Sequence, residues 1–316
     1  MIMIKPVCLE NQGVMKGIEA LALGVFDGVH RGHQKIFETL LWNQDPQGAA
    51  VATFEPHPMR VVAPKHEPRR LMTLSQKIQS IYASGVRHVL VWAFDSAMRH
   101  LSAEEFVVRV AKVFPNLRRV VVGENWRFGF NAEGDAGILA RLGATYEWRV
   151  EVVPPVLDAN GGRISSSRIR ELVEAGRIEE AEELLGRRFC LRGRVVRGTG
   201  RGKKIGFATA NMEFDRAQWP PFGVYAAVAS LGERDYLCVV NIGVRPTVNA
   251  MGRLSEASFE AHLLDYGGES LYGMEIDFWG LRWIRNEMKF DSLEALGQRI
   301  ACDVACAREI YPEFAR

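Results

Sequence analysis

The 316-residue chain has no long uninterrupted apolar run, although 47% of its residues are hydrophobic. Its opening, MIMIKPVCLENQG, meets charge before an apolar core can form. Neither a secretory signal nor a membrane span is therefore expected, and the cytoplasm is the expected compartment. Charge of one sign is also missing: 40 Lys and Arg against 38 Asp and Glu leave a net charge of +2. A polynucleotide footprint needs a clustered basic excess, so nucleic acid is not an expected partner. Cysteine is scarce, with five in all. Cys8, Cys190 and Cys238 are scattered, whereas Cys302 and Cys306 share a helical face. With no His or Cys nearby to complete a ligand set, that pair is expected to be buried thiols. Internal repeats and low-complexity segments are absent. The length suits one large or two ordinary domains.

What the chain does contain is organised around Leu21 to Phe37, LALGVFDGVHRGHQKIF. A short apolar run breaks at Gly24 and a helix opens at the histidines. His30 and His33, three apart, fall on one face of the first turn, beside backbone N–H groups that have no intrahelical partner. Positive dipole charge, unpaired donors and two imidazoles favour an anion there, and the small residues Gly24, Gly28 and Gly32 would let it approach the backbone. Farther on, Ser165, Ser166 and Ser167 precede Ile169 and Leu172 as helix caps would. With Arg168 and Arg170 in the first turns they outline a second anion seat, since hydroxyls, free N–H groups and guanidinium forks all donate to phosphate.

Up to about Val153, short β-branched runs alternate with helical periodicity. Residues 49–54, 86–94, 119–122 and 146–153 read as strands, and 34–42, 74–84 and 103–114 as helices. Such alternation predicts a doubly wound parallel sheet, with ligands beyond the carboxyl ends of its strands. The helical pattern ending at Leu185 and the Gly186-Arg187-Arg188 break predict domains at 1–186 and 187–316. Beyond the break, 189–197, 224–230, 236–242, 259–264 and 275–283 read as strands without intervening helices, and 292–311 as one last helix. That predicts an antiparallel barrel or sandwich carrying a helix. Gly198 to Asn211 is a glycine-rich basic loop without the Gly-Lys-Ser/Thr ending of a P-loop.

His30-Arg31-Gly32-His33 resembles the HxGH element of nucleotidyltransferases, which does not by itself choose an acceptor. The wider string FDGVHRGH, with Thr53-Phe54-Glu55-Pro56-His57-Pro58 and Ile164-Ser165-Ser166-Ser167-Arg168, resembles the bacterial bifunctional riboflavin kinase/FAD synthetase family. The second half carries further matching blocks in family order: Ala208-Thr209-Ala210-Asn211, Gly223-Val224-Tyr225-Ala226, Asn241 to Thr247, Phe259 to Asp265 and Ile284 to Phe290. The resemblance implies a nucleotidyltransferase domain followed by a riboflavin kinase β-barrel. The barrel would make FMN from riboflavin and ATP, and the first domain would make FAD from FMN and a second ATP.

By the same resemblance, Gly24, Phe26, Asp27, Gly28, His30, Gly32, His33, Arg127 and Ser165 to Arg168 would hold the nucleotide in the first domain, with the serine seat opposite the histidines. Phe54, Pro56, His57, Asn125 and Trp126 would contact the flavin; Asn125 and Trp126 stand where the family often has Asp and Phe. In the barrel, Gly198, Gly200, Arg201, Gly202 and Lys203 would bind ATP, and Thr209 and Asn211 would hold Mg²⁺ and phosphate. Ala208 replaces the family's proline there, which bears on loop rigidity more than on ligation. Glu260 would be the general base, with Arg285 and Glu287 near the flavin. Small-molecule substrates and a monomer or weak homo-oligomer are expected. A nucleotidyltransferase with another acceptor and a flavin-nucleotide-binding protein with one silent domain are the alternative readings.

Overall fold

The computed structural model describes residues 5–197, 209–244, 257–268 and 270–312. In chain order the first part runs β1 (Ala20–Leu23), α1 (Arg31–Leu41), β2 (Ala49–Glu55), α2 (Pro58–Val62), α3 (Leu74–Ala83), β3 (His88–Ala93), α4 (Ser96–Arg99), α5 (Ala103–Val113), β4 (Arg119–Gly123), α6 (Ala136–Gly143), β5 (Arg149–Val153) and α7 (Ser166–Glu174). Then come α8 (Ile178–Leu185), β6 (Cys190–Val196), β7 (Ala210–Glu213), β8 (Gly223–Leu231), β9 (Arg234–Val244), β10 (Ala257–Leu263), β11 (Glu275–Arg285) and α9 (Leu293–Ile310).

The first five strands form one all-parallel sheet in the order β3-β2-β1-β4-β5. All four residues of central β1 are buried, which is why it reads as a continuous apolar run rather than an alternating one. A core of Leu21, Leu23, Phe54, Trp92, Phe106, Phe114 and Val122 packs on this sheet. Capping boxes at Thr73/Gln76 and Ser102/Glu105 start α3 and α5, each satisfying donors that the helix cannot. Strand order reverses between β2-β1 and β4, so β1 and β4 flank the switch point where ligands of such sheets bind.

The later strands close an antiparallel barrel in the order β10-β7-β6-β11-β8-β9. Phe259, Ala261, Ile276 and Phe278 are buried members of its strands. A separate apolar cluster of Val224, Ala226, Val228, Leu237 and Val239 packs against Ala307 of α9 and Tyr311, which caps that helix.

Several expectations change. The strand expected from Tyr146 begins at Arg149, because Ala144–Tyr146 forms a 3-10 turn and Glu147 takes a left-handed conformation. Helix α6 and strand β7 were not foreseen. Cys302 is exposed and Cys306 half-buried, so that pair is not buried. The chain divides by packing into Met1–Arg69 with Thr73–Arg168, and Arg70–Met72 with Ile169–Arg316. In this division most of α7 and all of α8 group with the barrel strands. Gly186 (φ +69°) is the left-handed cap of α8: the glycine ends a helix without saying which core that helix joins.

Candidate functional site

The first site is built at the switch point. After β1 the backbone turns sharply through Phe26 (φ +51°), Gly28 (φ +86°) and Val29 (φ +39°) before α1 begins. His30 is the N-cap of that helix: its Nδ1 accepts from the His33 amide at 3.4 Å and its carbonyl from the same amide at 2.7 Å. The two imidazoles stack, centroids 3.6 Å apart and 19° from parallel, and the buried Phe26 ring meets His33 edge-on at 5.3 Å. His33 Nδ1 is buried with no hydrogen-bond partner. Burial first, then His30 and Lys77, push the His33 pKa well below the usual histidine value. His33 is therefore a neutral hydrogen-bonding group near neutral pH. The room at two glycines goes to side chains, not to a ligand. A Cβ at Gly24 would lie 2.6 Å from Phe26 Cζ, and one at Gly32 would lie 3.1 Å from His30 Nδ1.

The serine segment arrives at the same turn. Ser166 Oγ donates to the carbonyl of buried Asp27 at 2.8 Å, and Ser165 Oγ accepts from the Arg168 amide at 3.3 Å as a cap does. Two helix starts thus converge on residues 26–33. Arg168 takes another role than expected. Its guanidinium pairs with Asp158 and donates to the Arg163 carbonyl, and this pairing, with the Gly162 amide, holds the Asp158 carboxyl below its usual pKa. Anchored to that carboxylate, Arg168 holds the 158–162 turn and is not an open phosphate fork. Ser167 lies exposed in the first turn of α7.

The expected flavin contacts divide. Phe54 is buried against Trp92 and Phe94, so it supports the site from the core and offers no face for stacking. Pro56 follows a cis peptide, and His57 Nδ1 accepts from the Met59 amide at 3.2 Å, capping α2. Beyond β4, Asn125 is exposed and its carboxamide oxygen, correctly oriented, faces the Arg163 guanidinium. Trp126 stacks on Phe128 at 4.6 Å, while exposed Arg127 donates to the Trp126 carbonyl.

The second site lies on the barrel. Glu260 of β10 stands directly across from Asn211 of β7 on one side and from Asn241 of β9 on the other. Residues opposite each other in an antiparallel ladder share a face. Burial alternates around Glu260, with Phe259, Ala261 and Leu263 buried and Glu260 and His262 half-buried. Thr209 immediately precedes β7 and is half-buried. Asn241, which the sequence did not single out, donates to Glu287 Oε1 at 3.2 Å. Arg285 is not free for a flavin. Its Nε reaches Asp303 Oδ1 at 2.9 Å, its Nη2 reaches Oδ2 at 2.7 Å, and Arg299 also pairs with Asp303. Gly198, Gly200, Arg201, Gly202 and Lys203 lie outside the described residues.

Among the described residues no three His, Cys, Asp or Glu side chains form a metal cluster. Thr209 and Asn211 instead offer oxygen donors, which suit a hard cation completed by phosphate and water. No described helix is long and apolar enough to cross a membrane.

Comparison with known proteins follows the same division. The FAD synthetase family matches residues 15–168 and the riboflavin kinase family matches 185–311. The chain is similar to the bifunctional riboflavin kinase/FMN adenylyltransferase of Pseudomonas fluorescens, 37% identical over 91% of each chain. It is similar also to that of Escherichia coli K12, 36% identical over 92% of each. A crystal structure described as a macrolide-efflux protein from Streptococcus pneumoniae shares its fold with TM-score 0.80 at 29% identity, over 98% of this chain and 99% of that one.

Proposed function

The chain belongs to the bifunctional riboflavin kinase/FMN adenylyltransferase family, and from that premise we propose which of its residues carry each of the two reactions. The enzyme phosphorylates riboflavin to FMN and adenylylates FMN to FAD. In the kinase reaction the terminal ribityl hydroxyl attacks the γ-phosphorus of ATP, its proton passes to Glu260, and ADP leaves. Asn241, hydrogen-bonded to Glu287, borders Glu260 on the side away from Asn211. Thr209 and Asn211 would hold Mg²⁺, which supplies charge neutralisation to the transferring phosphates when bound. The observation that supports this assignment best is the register that sets Asn211 and Glu260 side by side on adjacent strands.

In the adenylylation the FMN phosphate oxygen attacks the α-phosphorus of a second ATP. The α–β bridging bond breaks and pyrophosphate departs, so no enzyme nucleophile is needed. His30, His33 and the start of α1 surround the charge that develops, and Ser165, Ser166 and Ser167 seat the leaving phosphates at the start of α7. Orientation of two bound phosphates supplies much of the acceleration in such a reaction. The domains of these two activities are proposed to part between Arg168 and Arg187, and the cytoplasm, where ATP is at hand, is the proposed compartment.

Incubating the protein with riboflavin, ATP and Mg²⁺ and separating the flavins over time tests the reading. FMN should rise first and FAD follow, with one ADP and one pyrophosphate per FAD. Flavin bound but unchanged would overturn it in favour of a binding protein, and an adenylylated product from another acceptor would overturn it in favour of a different nucleotidyltransferase.

A further inference from the structure

A buried lysine lies behind the histidine turn. Lys77 of α3 is 5% exposed, on the helix face that also buries Ile78 and Ile81. Removing an ammonium from water is costly unless fixed dipoles receive it, so the residues around it are a clue to its use. One of them is Thr53 of β2, itself fully buried: Lys77 Nζ lies 3.4 Å from Thr53 Oγ1. Thr53 Oγ1 in turn donates to the Val25 carbonyl at 2.9 Å. A hydroxyl carries one proton. With that proton given to Val25, the oxygen faces the ammonium with its lone pairs, and the direction of the chain is set from Lys77 through Thr53 to Val25. Each bond polarises the next in a low-dielectric interior. Val25 immediately precedes Phe26, where the backbone enters its left-handed turn toward His30. Three elements are thereby tied together: α3, β2 and the β1–α1 turn.

We propose that Lys77 is a positioning residue for adenylyl transfer, holding the histidine turn through Thr53 and the Val25 carbonyl and keeping a fixed positive charge behind the phosphate seat. This rests on the adenylyltransferase reading of that site. The charged groups bearing on His33 are His30, stacked on it from its own segment, and Lys77 from α3. Lys77 thus acts on the site twice, mechanically through the turn and electrostatically on the ring.

The test uses the full-length enzyme and four variants, Lys77→Met, Lys77→Arg, Thr53→Val and Thr53→Ser. Circular dichroism and calorimetry of each variant report on its folding, and riboflavin phosphorylation by the same chain reports on the barrel. Lys77→Met should lower kcat for FMN adenylylation by about tenfold or more, as loss of a positioning group does, with KM for ATP changed far less. NMR of the imidazole protons, assigned with His33→Gln, should show the His33 titration moving upward in Lys77→Met and staying low in Lys77→Arg. Thr53→Val should lower kcat in the same direction, Thr53→Ser should restore it, and Lys77→Met with Thr53→Val together should be less than multiplicative. Full adenylylation by Lys77→Met would overturn the proposal. So would a lower melting temperature with an unmoved His33 titration, which would make Lys77 a packing group only. Were Lys77→Met not to fold, Thr53→Val with wild-type kcat would be the overturning result. If wild-type enzyme made no FAD at all, the functional reading would fail, while the His33 titration would still test the link from Lys77.

Discussion

The imidazoles of His30 and His33 face each other 3.6 Å apart, 19° from parallel. Two cations would repel strongly in that geometry, and burial adds a further penalty to charging His33. The stacked pair is thus arranged so that His33 stays neutral near neutral pH.

A pH dependence follows. The unfolded chain takes up a proton near the ordinary histidine value of 6.5, whereas folded His33 does so only at lower pH. The stability owed to neutral His33 is therefore complete above that value and is lost as pH falls below it toward the folded one. His33→Gln should flatten the fall in melting temperature between about pH 7.5 and about pH 5.5. The same variant should make FAD roughly a hundredfold more slowly while still phosphorylating riboflavin. Equal pH slopes for the two proteins would contradict the argument.

On the barrel, Glu260→Gln keeps shape and hydrogen bonding but removes the base. FMN formation should fall by about a hundredfold or more, and FAD formation from supplied FMN should continue. Asn211→Ala should instead raise the Mg²⁺ concentration needed for half-maximal rate. An unaltered rate in Glu260→Gln would remove it from the chemistry.

Arg285 offers a discriminating test between latch and ligand. Asp303 is 1% exposed and bound by two arginines, so Arg285→Met leaves a buried carboxylate with only Arg299. Breaking such a pair costs on the order of 3–5 kcal/mol, and the barrel transition should melt lower by calorimetry. KM for riboflavin should stay within a few-fold. A large rise in KM with unchanged melting would place Arg285 at the flavin after all.

Truncation tests the domain line. Residues 169–185 bury Ile169, Leu172, Val173, Ile178, Ala181, Leu184 and Leu185, and they group with the barrel. Large apolar side chains of this kind are worth about 1.5–3 kcal/mol each when fully buried. A fragment beginning at Ile169 should therefore fold and make FMN without FAD, and one beginning at Arg187 should melt well below it by circular dichroism. The longer fragment still lacks Arg70, whose backbone bonds to Arg216 and Gln218 water can replace. Equal melting of the two fragments would show that α7 and α8 support another core.

Sequence reading reached the parallel sheet because buried β-branched runs and capped amphipathic helices leave strong periodic signals, as at Val120–Val122 and Ser102–Glu105. The alternation of Phe259, Ala261 and Leu263 marks the strand and the outward face of Glu260, but only the family resemblance singled that carboxylate out. Other features carry no such signal. Strand β7 is four residues long, two of them half-buried and one exposed, so no alternation marks it. Lys77 sits in the polar-looking run Leu74 to Gln79 and reads as a surface lysine until α3 is packed. Arg168 and Arg285 were visible as charges, but their partners Asp158 and Asp303 come from other segments. A linear pattern shows that a guanidinium exists, not which carboxylate already occupies it.

The backbone ladder makes the proposed kinase site a matter of counting. Asn211, Glu260 and Asn241 line up because three strands are held in one alignment. A single-residue deletion within β10 would turn Glu260 toward the apolar interior and present Phe259 or Ala261 to solvent. Removing two would restore its outward direction but carry it roughly 7 Å along the strand, away from both asparagines. The sequence of these strands can therefore drift residue by residue in composition, yet it cannot change in length without breaking the alignment on which the proposed kinase site depends.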